Sequence, residues 1–419
     1  MSALAKYWSI VSDAPSLFRR RMTGGAYRPE IDGLRFFAIA IVVVGHVAER
    51  AVRFFASARL AAQDSVVADL VQRAGLGVFL FFTISGFIIA TQARKARQSP
   101  LSGAFLRSYY GRRILRIEPP YIVLLVCTWA ALTLTGYAPE GANHFDAAPQ
   151  SLTVSLLASM AYLHGLVFGA YPRLFPPGWS LEVEVQFYLV APLLFWLWFR
   201  MKRATTRVAF GLGLLAIGAL ASLALPDKIG AVFVDKSILR FFSFFWLGII
   251  LCDAQGWATD KIGALPAPLT TAIGWCGLAA YLVIPNAGEA VIPGLVLRAA
   301  VYLSLIAMFA SAWAPRSGFR RFCSRPWIAL VGGACYSIYL VHLQTAQIIS
   351  TIAAKLAPGL GLAGVCGLMV IQYLAIVAAG LVFYILIERT FMLPDWHRQA
   401  AARVRALLRP RAPGATPAE

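Results

Sequence analysis

The chain has 419 residues, 59% hydrophobic and 14% charged, with a mean hydropathy of +0.69. A soluble globular chain carries about a quarter charged residues, so this composition excludes an ordinary water-soluble domain. The net charge of +19 would suit nucleic acid, but most of the cations cluster in the stretches between apolar runs, which argues against that reading.

In chain order, apolar runs lie near 34–54, 74–92, 119–136, 179–200, 207–225, 237–255, 266–284, 293–313, 328–350 and 362–387. A helix needs about 20 residues to cross a bilayer, and these runs match that length. A weaker run lies at 151–168. In hydrocarbon only helices or closed barrels satisfy their backbone, and the runs lack the alternation of barrel strands. The expected fold is all-α, a polytopic transmembrane helical bundle of about ten spans. It would occupy residues 28–390, between a cytoplasmic N-terminal segment (1–27) and a basic cytoplasmic tail (391–419). The first 26 residues are polar and basic, so the first run reads as an uncleaved anchor rather than a signal peptide.

Basic residues cluster at Arg94–Arg116, Arg200–Arg207, Arg316–Arg325 and in the tail, and they are sparse in 138–178, 285–292 and 351–361. That is the positive-inside pattern with both termini cytoplasmic. One stretch resists it: 50–73 should be external yet holds Arg50, Arg53, Arg59 and Arg73. Counting 151–168 as a crossing would invert every later basic loop, so it reads as a peripheral or re-entrant piece of an external segment. Cys127, Cys252, Cys276, Cys323, Cys335 and Cys366 show no paired spacing. They read as small apolar residues, with neither a disulfide framework nor a metal site expected.

Polar residues inside spans are expensive and tend to be functional or paired. The first span opens Arg28-Pro-Glu-Ile-Asp-Gly-Leu-Arg35 and runs through apolar residues to Gly45-His46. Arg35 and His46 share one helix face roughly 16 Å apart. Arg35 reads either as an interfacial arginine or as a functional cation. His46 reads either as a structural hydrogen-bonding histidine or as a proton-transfer group. In the second span, Gly77-Val-Phe-Leu-Phe-Phe-Thr-Ile-Ser-Gly-Phe87, the Ser85-Gly86 pair suits close helix packing. Before the third come Arg113 and Arg116, at i,i+3, followed by Pro119-Pro120. Such a pair suits phosphate oxygens, and topogenic charge alone also explains it.

The fourth span opens Pro176-Pro-Gly-Trp-Ser-Leu-Glu-Val-Glu-Val-Gln-Phe-Tyr188. Glu182 and Glu184 there either complement the helix dipole or provide a base or orienting partner for His46. The ninth holds Tyr336-Ser-Ile-Tyr-Leu-Val-His342, which sets His342 at a depth similar to that of His46 and suggests one site.

These five blocks resemble the acyltransferase-3 family of integral-membrane acyltransferases, which includes enzymes acylating O-antigens, exopolysaccharides, Nod factors and macrolides. They occur in the family's order across residues 28 to about 390, and five in order is a specific signal. The resemblance implies a membrane acyltransferase domain at 28–390 in which His46 is the essential catalytic histidine. It also implies that Arg35, Arg113 and Arg116 are required around the acyl-CoA. Two departures stand out. The family often has two adjacent acids where this chain has Glu184-Val185, which makes Glu184 the better match than Glu182. Its usual aromatic before the late histidine is Val341 here, which leaves His342 without an assigned role. Ser85, Tyr188, Tyr339 and His342 are further candidates. Some members carry a fused SGNH-type domain, which is not expected in a chain of this length.

The resemblance thus implies acyl transfer from cytoplasmic acyl-CoA, expected to be acetyl-CoA, to a hydroxyl of an extracytoplasmic glycan or lipid-linked sugar. The inner (plasma) membrane is the expected location, membrane lipids the surroundings, and neither metal nor nucleic acid an expected partner. In the expected mechanism CoA phosphates rest near Arg113 and Arg116, and the pantetheine arm threads inward. His46 takes the acceptor's proton and Glu184 orients His46. An acyl-histidine intermediate is the competing route. A transporter or flippase of a lipid-linked sugar would share the ten spans, but its usual related halves are not visible. A purely structural membrane partner would leave two buried histidines and an arginine unexplained.

Overall fold

The computed structural model describes residues 27–63, 70–96, 99–137, 151–284 and 291–391, together with Pro15 and Phe18. The expected terminal segments, 1–27 and 391–419, therefore lie outside the described residues apart from Pro15, Phe18, Tyr27 and Phe391.

The first helix, α1 (Pro29–Phe54), starts where proline costs no hydrogen bond, with Glu30 and Asp32 in the first turn against the positive end of the helix dipole. It is the most enclosed span of the bundle. Along the chain follow α2 (Ala74–Lys95), α3 (Gly103–Thr135), α4 (Trp179–Arg200), α5 (Ala204–Ala224), α6 (Ile238–Gly263) and α7 (Ala267–Val283). The last four are α8 (Val291–Trp313), α9 (Pro326–Gly333), α10 (Cys335–Leu356) and α11 (Leu362–Phe383). Among the described residues eight helical segments are long and apolar enough to cross a membrane. The pair α9 and α10 makes one more if counted as a bent span, and α7 is an apolar helix of 17 residues. Every apolar run of the sequence has a helical counterpart, and the protein is an all-α, multi-pass membrane bundle. Sheet among the described residues is one short antiparallel pairing of Lys228–Ile229 with Val232–Phe233.

The weak run at 151–168 folds as two short helices, Leu152–Met160 and His164–Phe168. At about 1.5 Å per residue neither can reach across a hydrocarbon core.

Two elements differ from the sequence expectation. First, α3 is one helix of 33 residues that passes through Pro119 and Pro120, so the span does not begin at the prolines. A proline removes a backbone donor and disfavours a helix interior, and here packing outweighs that preference. Tyr336 of α10 donates to the Ile117 carbonyl at 2.7 Å and holds α3 at this point. At roughly 50 Å the helix is longer than a bilayer core, so its arginine-bearing half extends past the apolar segment.

Second, the run at 328–350 is broken by a 71° bend between α9 and α10. Glycine makes the break possible. A β-carbon on Gly332 would lie 1.7 Å from the Asp32 carbonyl oxygen, so only glycine lets α9 press against the start of α1. The same device joins α2 to α6. A β-carbon on Gly86 would fall 2.1 Å from the Phe245 carbonyl oxygen, and one on Gly248 would fall 2.2 Å from that of Thr83.

The basic loops gather at one end of the bundle. Arg28 reaches Gln255, Arg94 reaches the Cys252 carbonyl and Arg207 pairs with Asp253, so three separate segments meet one stretch of α6. Arg35, Arg113 and Arg116 lie toward this end of their helices, and His46 lies toward the other.

Candidate active site

Two cavities meet inside the bundle. The first, about 80 Å³, is lined by Arg35 of α1, Ser85 of α2, Arg116 of α3, Ser180, Glu184 and Tyr188 of α4, and Tyr336 and Tyr339 of α10, among others. The second, about 340 Å³, holds His46, Glu49 and Arg50 of α1, with Trp179, Tyr171 and Tyr339 on its walls. Val78 and Tyr339 belong to both linings and form the partition between them.

The first cavity is built on Glu184. Its Oε1 accepts from Ser85 Oγ and from Tyr188 Oη, both at 2.5 Å, the short distance of hydroxyls bonded to a carboxylate. Tyr188 lies one turn after Glu184 on α4, so the helix itself delivers one donor, and the Gly86–Gly248 packing brings up the other by seating α2. Ser85-Gly86 therefore does two things: the glycine packs and the serine reaches the cavity. Arg35 is buried and bonded to Asp32 Oδ1 at 2.7 Å, so its head is not drawn out to water.

Arg113 and Arg116 are engaged differently. Arg113 is buried, with Cζ 3.7 Å from the Tyr109 ring centre and 5.5 Å from that of Tyr188. Its Nη1 donates to the Tyr109 carbonyl and its Nη2 to Gln92. A guanidinium spent on two aromatic faces and two acceptors is a clamp between helices. Arg116 instead lines the cavity, within electrostatic range of Glu388 and Glu184.

Glu388 is a buried acid that sequence reading missed. It ends a π-helical turn, Tyr384–Glu388, and accepts from Ser337 Oγ at 2.6 Å. Such turns recur at functional sites, but nothing in the sequence distinguishes them from an ordinary helix end.

Glu182 is separated from Glu184 in role. It is fully buried, and Oε2 accepts the Gly165 backbone N–H at 2.7 Å, pinning the short helix His164–Phe168 to α4. Beside it, His164 is buried with Nδ1 3.2 Å from the Ala170 carbonyl. Burial holds its pKa below the ordinary histidine range, and Arg173 pushes the same way. Both residues fix the position of the segment before α4.

The second cavity is lined by His46, and a second histidine packs against that ring. The rings of His46 and His342 lie 5.0 Å apart, which the bend before α10 makes possible. His342 is fully buried, with Nδ1 2.5 Å from the Tyr339 carbonyl. A carbonyl can only accept, so Nδ1 carries the proton and neutral His342 keeps a bare Nε2. That nitrogen has no hydrogen-bond partner among the described residues. Tyr339 is held in turn by Ser180 Oγ at 2.8 Å and by the Pro177 carbonyl.

The carboxylate beside His46 is Glu49, whose Oε2 stands 3.8 Å from Nδ1. Glu184 is bonded to Ser85 and Tyr188 and lines the other cavity, so the expected Glu184–His46 contact is not formed. Its i,i+3 spacing from His46 is the signal that would have identified Glu49, which sequence reading passed over at the mouth of the span. Among the described residues no group of three or more His, Cys, Asp or Glu side chains could hold a metal ion.

A family model described as an acyltransferase domain matches residues 28–389, most of the chain. Acyltransferase MdmB of Streptomyces mycarofaciens is 27% identical over 177 residues, covering 42% of this chain and 40% of that protein. Peptidoglycan O-acetyltransferase OatA of Listeria monocytogenes is 26% identical over 209 residues, 48% of this chain and 30% of that protein. O-acetyltransferase OatA of Staphylococcus aureus is 25% identical over 342 residues, 77% of this chain and 51% of that protein. The aligned regions thus span about half or less of these relatives. No solved structure matches the chain.

Proposed function

The chain belongs to the acyltransferase-3 family, and from that premise we propose that it moves an acyl group, expected to be acetyl, from cytoplasmic acyl-CoA to a hydroxyl of an extracytoplasmic glycan or lipid-linked sugar in the inner (plasma) membrane. The observation that carries this reading is the back-to-back arrangement of the two cavities. His46 faces the larger one with His342 packed behind it, and a carboxylate with two arginines faces the smaller. The names of the O-acetyltransferase relatives support acetyl as the group and, for one of them, a glycan as the acceptor.

In this reading the acyl-CoA arm enters from the Arg116 end, and Arg116 and Arg35 attract its phosphates. The narrow first cavity suits a pantetheine chain better than a nucleotide. The thioester arrives at the Tyr339 partition and the acceptor hydroxyl comes from the opposite side into the His46 cavity. As the hydroxyl oxygen attacks the thioester carbon, His46 takes its proton. The C–S bond then breaks, and the CoA thiolate recovers that proton. Glu49 lies on the Nδ1 side of His46 and stabilises the imidazolium, which leaves Nε2 for the hydroxyl. A separation of 3.8 Å is an ion-pair distance rather than a hydrogen bond, and such contacts commonly tighten once substrate binds. The bare Nε2 of His342 is placed to accept a hydrogen bond from the acceptor or from protonated His46. Ser85 and Tyr188 hold Glu184 fixed in the cavity that Arg116 also lines, and the both-termini-inside orientation follows from the basic loops.

The test is label transfer. Membranes containing the protein, given radiolabelled acetyl-CoA, should place label in the glycan or glycolipid fraction. His46→Ala should lower that rate at least about 100-fold, the scale of a lost general base, with unchanged amounts of protein in the membrane. Equal labelling by the variant would remove His46 from the chemistry.

A further inference from the structure

Arg50 and Arg53 follow His46 on α1 at one-turn intervals, so all three share a face. They belong to the stretch whose positive charge runs against the expected topology. Its other two arginines are spent on main-chain carbonyls: Arg59 Nη2 donates to Arg53 O at 2.9 Å, and Arg73 Nη1 donates to Leu282 O. Arg50 and Arg53 differ. Arg50 is only 4% exposed. Its Nε and Nη1, and Nη1 of Arg53, are buried without a hydrogen-bond acceptor among the described residues. The acid beside them is Glu49, whose Oε1 stands 3.8 Å from each and whose other oxygen faces His46. Two guanidiniums thus share one carboxylate that is also engaged elsewhere, and buried cations left in that state are costly.

Both arginines line a third cavity of about 350 Å³, which shares Arg50, Pro176 and Leu343 with the His46 cavity. Its remaining wall is largely apolar, with Cys127, Ala131 and Leu132 of α3 and Ile348 of α10, and also carries Arg173, Gln344 and Gln347. Cys127 and Ile348 are exposed on the outer faces of these helices, so the cavity opens sideways to the lipid rather than only to water. Cationic nitrogens needing acceptors at one end, and a hydrocarbon-facing slot at the other, describe an amphiphilic anion. Guanidinium forks match phosphate oxygens in particular.

We propose that this third cavity binds a lipid-linked phosphate, with its phosphate or diphosphate ester on Arg50 and Arg53 and its hydrocarbon chain leaving between α3 and α10. The attached sugar then extends into the adjoining cavity and brings a hydroxyl to His46. This last clause rests on the acyltransferase reading, and the anion site does not. The acceptor class is thereby narrowed from glycans in general to a sugar still carried on its membrane lipid.

The experiment uses the full chain in detergent and three probes: farnesyl phosphate, farnesol and inorganic phosphate. Binding is read as ligand-dependent stabilisation against heating. Farnesyl phosphate should bind at least about tenfold more tightly than either farnesol or inorganic phosphate. Arg50→Gln and Arg53→Gln should each lose most of that preference, Arg50→Lys should regain part of it, and His46→Ala should keep it. Unliganded melting temperature and monodispersity of each variant show that it folds, and if one arginine variant fails to fold the other still decides. Equal binding of farnesol overturns the phosphate site, and equal binding of inorganic phosphate overturns the lipid assignment. Unchanged binding by both glutamine variants overturns the arginines. A chain that binds farnesyl phosphate in this way yet transfers no acyl group keeps the site and removes the enzyme reading. A chain that transfers acyl groups without any arginine-dependent preference does the reverse.

Discussion

The two cavities that meet at Tyr339 are finished to different degrees. Around Glu184 most of the polar groups are matched: Asp32 holds Arg35, Ser85 and Tyr188 hold Glu184, Tyr109 and Gln92 hold Arg113 apart from its Nε, and Ser337 reaches Glu388. Around His46 they are not. Among the described residues two nitrogens of Arg50 on the cavity wall, one of Arg53 a turn further on and Nε2 of His342 against His46 are buried without hydrogen-bond partners, and the space is about 340 Å³ against about 80 Å³. Leaving a buried polar group unmatched costs about 1–3 kcal/mol, so several close together are a standing expense that a bound ligand would remove. The difference teaches which side is prearranged by the protein and which is completed by substrate. In the proposed reaction the thin, matched cavity guides a chain-like donor arm, and the wide, unmatched one receives the acceptor.

That contrast can be broken at the matched side. The largest effect there is expected for Arg116→Ala, which should weaken acetyl-CoA binding about tenfold, the scale of one charge-assisted contact. The melting temperature should change little, because Arg116 lines a cavity. Arg113→Ala should behave in the opposite way. Its guanidinium joins α3 to Gln92 and the Tyr109 and Tyr188 rings, so its loss should destabilise the protein by about 1–3 kcal/mol. Its effect on acetyl-CoA affinity should be the smaller of the two. Thermal melts and equilibrium binding on the same two preparations check this. Identical behaviour of the two variants would mean that the pair acts as a unit after all.

A smaller effect is expected from the two hydroxyls on Glu184. Tyr188→Phe and Ser85→Ala each remove one donor of two, so each should slow transfer by no more than about tenfold. The double variant should lose more than the product of the singles, since the remaining donor compensates in each single change. Label-transfer rates for the four proteins measure the coupling, and strict additivity would show that the donors do not share a task.

Much of the bundle was legible as sequence because one period of apolar residues near bilayer length admits few structures. What stayed illegible depends on neighbours. Nothing local announces that α3 continues through Pro119-Pro120, since the Tyr336 contact that holds it comes from α10. Gly332-Gly333 hints at a break before α10, but the 71° bend depends on the fit of Gly332 against the Asp32 carbonyl. The similar depth of His46 and His342 was visible in the sequence, and their 5.0 Å approach was not. Glu184 and Tyr188 were candidates already at i,i+4, whereas the serine that completes their contact arrives from another helix. Glu49 was overlooked because an acid at the end of an apolar run reads as solvated. Arg50 and Arg53 were visible only as a violation of the charge pattern.

The sidedness of the reaction is the most direct test of the two-cavity arrangement. Sealed inverted vesicles expose the cytoplasmic face, and right-side-out vesicles hide it; both receive radiolabelled acetyl-CoA from outside. Inverted vesicles should label their glycolipid at once. Intact right-side-out vesicles should label only after permeabilisation, and His46→Ala should label in neither. Rapid labelling of intact right-side-out vesicles, with inverted ones silent, would place the donor on the His46 side and contradict the assignment of the two cavities.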